Sequence, residues 1–295
     1  MATSRSDCPV SDAHVHFFSR RFFEALGAQC GKSAAEVAAA VEWELPPADA
    51  TGLARRWVEE LDAHGVERAA LIASIPGDEA STVAAASAYP DRFYAYAMVN
   101  PLAGGAAVEP GLHAICLFPA MHGFSIADSR VEPLLEQAAA RHCAVFVHCG
   151  VLSVGVRKKL GLPSLFDMRF SNPLDLHAVA LRHPSVPFIV PHFGAGYFRE
   201  ALILADLCPN VYLDTSSSNS WMRYEGLDLP AVFRRALGVA GARRLLFGTD
   251  SSFFPRGWNS EIFQAQTRAM AAAGVGSGDA GLILGGNLRR ILTEI

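Results

Sequence analysis

Ser11-Asp12-Ala13-His14-Val15-His16-Phe17 closes the first apolar run of the chain, and its two histidines, one residue apart, decide how the rest is read. A strand points residues i and i+2 to the same face, so His14 and His16 can converge on one metal ion. A dinucleotide-binding open sheet would carry G-x-G-x-x-G after its first strand, and none follows here. An H-x-H pair alone is more often a polar patch on an edge strand. The weight therefore falls on the strand ends that come later.

Eight short β-branched or aromatic runs alternate with alanine-rich amphipathic stretches. The expected strands cover residues 10–15, 68–74, 93–99, 114–118, 144–148, 188–192, 211–214 and 244–248, mostly as continuous apolar runs of the kind buried on both faces. The expected helices cover 52–64, 80–89, 130–142, 175–183, 198–207, 229–239 and 260–273, several ending at Gly or Pro signals such as Ala63-His64-Gly65 and Tyr89-Pro90. Eight is the number a closed barrel needs, so the pattern predicts an α/β fold of the (β/α)8 TIM-barrel type, as one domain over residues 1–295. Residues 17–51 and 150–173 exceed what a barrel connection needs. Both would leave from C-terminal strand ends, where barrel enzymes build their sites, and are expected to cover substrate.

Composition narrows the function. Of 295 residues, 51% are hydrophobic and 18% charged, with 25 basic against 29 acidic side chains and no basic stripe, which argues against nucleic acid as a partner. Neither a signal-peptide pattern nor a run of roughly 18 apolar residues is present, so the expectation is a cytoplasmic protein that does not engage a membrane. The six cysteines (Cys8, Cys30, Cys116, Cys143, Cys149, Cys208) form no C-x-x-C pair and lie in or beside apolar runs, as buried reduced thiols do. A small molecule is the expected partner, and a homodimer is the default for a barrel of this size.

Three later runs end in a single ionisable residue followed by small or turn-forming ones: Phe146-Val147-His148-Cys149-Gly150, Val190-Pro191-His192-Phe193-Gly194 and Phe247-Gly248-Thr249-Asp250. Any one of them alone reads as a satisfied structural group. With His14 and His16 they place four imidazoles and one carboxylate at the same end of four strands, a set suited to a borderline-soft divalent ion.

On these residues the sequence resembles the amidohydrolase superfamily, within it the amidohydrolase-related group of metal-dependent hydrolases and non-oxidative decarboxylases. The likeness extends through Asp62-Ala63-His64-Gly65-Val66-Glu67-Arg68, Tyr89-Pro90-Asp91-Arg92-Phe93 and the closing Leu284-Gly285-Gly286-Asn287-Leu288-Arg289-Arg290. It implies that His14, His16, His148 and Asp250 bind one divalent ion, zinc in the first place and manganese as the alternative. It also implies that His192 stands beside the metal as an acid/base group, though an additional ligand role stays open, and that Asp250 shares in proton management. The superfamily's binuclear members use a carbamylated lysine at the end of strand four. Here the only lysines are Lys32, Lys158 and Lys159, outside every expected strand, and Cys116 sits near that register as a buried thiol.

Loops near the site offer Phe17, Phe18, His122, Arg157, Arg169, Phe193, Trp221, Arg223, Phe253, Phe254, Arg256 and Trp258. Guanidinium groups suit a substrate carboxylate and flat side chains suit a planar body. Arg256, Arg157, His122 and Trp258 are the expected substrate contacts. The resembling decarboxylases carry their substrate arginine after strand one, whereas residues 41–52, with Glu42, Trp43 and Glu44, contain none. The expected activity is therefore hydrolysis of a small carboxylate-bearing amide, ester or lactone through metal-activated water. Decarboxylation of an aromatic or enoic acid is the alternative, and a non-catalytic binding barrel comes third.

Overall fold

The computed structural model describes residues 9–216 and 219–293, so Cys8 and the two chain ends lie outside it. Its strands are β1 (Val10–Phe17), β2 (Val66–Ala73), β3 (Phe93–Met98), β4 (Ala114–Leu117), β5 (Ala144–Val147), β6 (Phe188–Val190), β7 (Val211–Asp214) and β8 (Leu245–Leu246). They pair in parallel in chain order, as the sequence pattern predicts. Beyond β8 the sheet nearly closes on itself: Ala13 N donates to Phe247 O at 2.8 Å, Asp250 N to His14 O at 3.0 Å and His16 N to Ser251 O at 2.7 Å.

Several expected strands end one residue early, and two end two residues early for physical reasons. Pro191 has no N–H to continue the ladder after Val190, so the chain turns into left-handed backbone at His192 and Phe193 (φ 56° and 52°). After Leu246, Phe247 N donates to Ile283 O and Gln266 Nε2 donates to Gly248 O at 2.8 Å, so these two groups leave the strand ladder.

The alternation of side chains builds two apolar shells. Ile72, Tyr96, Cys116, Phe146, Ile189 and Leu246 fill the barrel, while Val15, Leu71, Val145, Val190 and Leu213 face outward against Trp57, Leu134, Val179 and Phe233 of the surrounding helices. At the N-terminal end, Arg92 donates to Glu67 O (2.7 Å) and Val66 O (3.1 Å) and pairs with Asp62 at 2.8 Å. The helix-to-strand phrases of the sequence thus clamp turns on the face away from the site, where residues serve stability. The five described cysteines are free, four of them buried and Cys30 half-buried. Among the described residues no helix is long and apolar enough to cross a membrane.

The two long connections join into one cap. The first forms helices Arg20–Cys30 and Ala34–Val41, the latter opened by a capping box in which Glu36 N donates to Ser33 Oγ and Ser33 N to Glu36 Oε2. The second forms helix Gly155–Lys159. Val156 buries itself among Phe22, Phe23, Leu26, Val37 and Val41, and Arg157 reaches Gln29 Oε1 at 2.7 Å. Apolar burial thus fastens the two insertions to each other over the C-terminal face of the barrel.

Candidate metal centre

His14 and His16 project inward from β1, and both rings have their Nδ1 edge tied. Asp214, the last residue of β7, accepts from His14 Nδ1 at 2.7 Å; as a carboxylate it only accepts, so the proton sits on Nδ1. The hydroxyl of Ser74 donates to Ile72 O at 3.0 Å and therefore accepts from His16 Nδ1 at 2.7 Å. His192 Nδ1 donates to the carbonyl of Ser216 at 3.0 Å. Ser216 Oγ lies between His14 Nδ1 (2.9 Å) and His192 Nδ1 (3.0 Å). The second ring edges then carry free lone pairs, the form in which imidazole binds metal or takes a proton.

Asp250 meets two of those edges, with Oδ1 3.2 Å from His16 Nε2 and 3.6 Å from His14 Nε2. A lone pair facing a carboxylate oxygen at such a separation is stabilised by a shared cation. One ligand atom from each of His14, His16 and Asp250 lies within 4.8 Å of the others, and two nitrogens with one carboxylate suit a divalent ion. His148 is outside this trio, yet it is buried, lines the same cavity, and keeps an Nδ1 without a hydrogen-bond partner. An orphaned buried nitrogen beside three ligand atoms fits a metal-binding role for the set.

Electrostatics follow from this packing. Burial drives the Asp250 carboxyl up, but the adjacent His16, with His14 and His192, outweighs it and holds the group well below the usual carboxylate range. Burial lowers His192, and lowers His148 strongly with help from the facing His192 and His14 rings, so both favour the neutral state. His14 goes the other way: burial lowers it, and Asp214 more than compensates. Asp12, next to the pair in sequence, is not aimed at the cavity. It accepts from Thr249 Oγ1 (2.5 Å), Trp258 Nε1 (2.7 Å) and His14 N (2.9 Å), and burial raises its carboxyl to about 6.

The backbone brings these ends together at a cost. Asp250 and His192 are both left-handed, at φ 60° and 56°, worth about 1–2 kcal/mol of strain each. Gly248 is where β8 passes under the site: a Cβ there would lie 2.7 Å from Asp214 Oδ1 and 2.9 Å from His14 Cβ. Gly150, at φ 79°, lets the turn after β5 lie against the turn after β6, where a side chain would collide with the carbonyls of Gly194 and Ala195.

The site opens into a cavity of about 430 Å³ beneath the cap, walled by Phe18, Phe22, Trp43, Phe118, Phe253 and Trp221 among others. Trp43 stacks on Phe253 (4.3 Å) and on Phe18 (5.4 Å), making a flat wall that continues to His16. Of the expected substrate contacts, none is among the lining residues. Arg157 spends its guanidinium on Pro163 O and Gln29; Arg256 is held by Asp250 O and Ser252 Oγ over the Phe253 ring. Trp258 is buried against Asp12, and His122 packs beside Phe124. Cys116 is fully buried, its thiol pushed far up by desolvation.

Asp214, Ser74, Ser216 and Trp43 were not singled out by the sequence as site residues. Asp214 carried a usable signal, since Val211-Tyr212-Leu213-Asp214 ends an apolar run in an ionisable residue as the other three do. The serines carried none. Asp214→Asn is expected to weaken zinc binding about 10–100-fold, read by competition with a chelating dye, because the His14 ring loses its charged anchor. Unchanged affinity would show that Asp214 only packs.

A family model described as Amidohydrolase matches residues 11–293. Protein fluG of Emericella nidulans is 35% identical over 85 residues, 29% of this chain but 10% of the fungal one, so the chain spans a small part of that relative. Among solved structures, 5-carboxyvanillate decarboxylase of Novosphingobium aromaticivorans, with bound manganese, matches with a TM-score of 0.66 at 15% identity, covering 99% of each chain. A probable 2-pyrone-4,6-dicarboxylic acid hydrolase of Acinetobacter baumannii matches at 0.61 and 14%, covering 96% of this chain and 98% of the other. At such identities the likeness speaks to the barrel and no further.

Proposed function

This chain belongs to the amidohydrolase family, and from that premise we propose that it is a mononuclear, divalent-metal-dependent hydrolase of a small, planar, carboxylate-bearing amide, ester or lactone. The observation that carries the reading is the convergence of His14, His16 and Asp250 at the closed end of an aromatic-walled cavity, with the neutral His192 beside them. His14, His16 and Asp250 would hold the ion, with His148 as a further ligand, and zinc is the preferred metal, manganese the alternative. A divalent cation there acts as a Lewis acid on a carbonyl oxygen and lowers the pKa of water.

The protein's own residues supply the rest. The Trp43–Phe253 wall seats a flat substrate body and excludes water from one of its faces. His192, its Nδ1 proton committed to Ser216 O, presents Nε2 to accept a proton and later return it. Asp250, kept ionised, assists as an acceptor.

Decarboxylation is the second reading, favoured by the apolar cavity walls, which solvate a carboxylate poorly. It calls on the same residues. Incubating metal-loaded protein with hydroxylated benzoates and with related lactones and esters separates the two. Acid release from the lactones and esters without carbon dioxide is expected. Carbon dioxide from a benzoate, abolished in Asp250→Ala, would overturn the hydrolase reading.

A further inference from the structure

We propose that Lys159 is the specificity-determining residue of this cavity, pairing its ammonium with a substrate carboxylate at the rim. The inference rests on the functional reading above and names a contact that reading leaves open. Lys159 is the one lysine or arginine among the described residues that line the cavity. It ends helix Gly155–Lys159, is exposed, and is steadied from the opposite insertion, where Val41 O accepts from Nζ at 3.2 Å. Its neighbours on that helix do not compete: Arg157 is bound to Pro163 and Gln29, and Lys158 does not line the cavity.

Charge balance gives the chemical class. The lining holds a single carboxylate, Asp250, and that group faces the imidazoles. Once a dication occupies the donor set, the cavity carries net positive charge, with the ammonium as the part not used for binding the ion. The remaining wall is aromatic, aliphatic or hydroxylic, so the complementary ligand is a flat anion with one polar group for the metal and a carboxylate for Lys159. Lysine acts here as a point charge on a flexible stem, which suits a carboxylate whose exact angle varies between related substrates.

The test uses the zinc-loaded full chain, with isophthalate as a planar dianionic probe and isophthalamide as its uncharged counterpart. Binding is followed by calorimetry and by quenching of cavity tryptophans. Wild type should prefer isophthalate, Lys159→Met should lose about tenfold for isophthalate with little change for isophthalamide, and Lys159→Arg should keep most of the preference. Zinc content should stay the same in all three. Equal losses for both probes, or an unchanged isophthalate affinity in Lys159→Met, would overturn the assignment. If wild type holds zinc but does not discriminate the probes, Lys159 is wrongly assigned while the metal reading stands. If it holds no stoichiometric zinc, the functional reading fails, and the probe ratio of wild type against Lys159→Met still decides Lys159.

Discussion

His16→Ala is expected to lower zinc affinity by more than about 100-fold, so that the purified variant emerges nearly metal-free by elemental analysis. Loss of an orienting partner of a ligand typically costs 10–100-fold, and loss of the ligand itself should exceed that. His16 brings its Nε2 within 3.2 Å of Asp250 and is held there by the Ser74 hydroxyl, so alanine removes a donor that nothing else in the lining replaces. His14→Ala should behave alike, with an additional stability loss because Asp214 would be left buried without its imidazole partner. A variant that retains stoichiometric zinc would remove His16 from the ligand set.

His192→Asn carries the second large effect. Turnover should fall roughly 10²–10⁴-fold while zinc content stays at the wild-type level, the range expected when a positioned acid/base group is lost. Asparagine is chosen because the backbone at 192 is left-handed, a conformation it tolerates better than most residues, and because its amide can still donate to Ser216 O. The pH profile adds a check. Burial lowers the His192 pKa, so activity that needs the neutral ring should be present at neutral pH and fall as acid protonates it. The variant should lack that acid limb. A metal-free His192→Asn protein would instead place the histidine among the ligands.

Lys159 and Arg256 illustrate why sequence proximity misleads about a cavity. Arg256 lies six residues beyond Asp250, yet its guanidinium folds back onto Asp250 O and Ser252. Lys159 lies eleven residues beyond His148, further from a strand-end donor than Arg256 is, and still lines the pocket, because the insertion after β5 packs its Val156 into the insertion after β1. Nothing in the local sequence of either residue distinguishes the two outcomes.

The barrel and the strand-end donors were legible because both are written in short-range pattern. Alternating apolar runs specify buried parallel strands, and an ionisable residue at the end of five of the eight runs marks the rim where those strands stop. Period-two geometry then aims His14 and His16 the same way without reference to any other part of the chain. Asp214, Ser74 and Ser216 depended on the tertiary structure. Their roles are set by the ring edge that each meets across the barrel, and hydrogen bonds of 2.7–2.9 Å between residues as far apart as 14 and 216 arise only when the sheet closes. The same holds for the substrate wall. Which arginine or lysine lines the cavity depends on how two irregular insertions bury their apolar residues against each other, and that packing has no period to read.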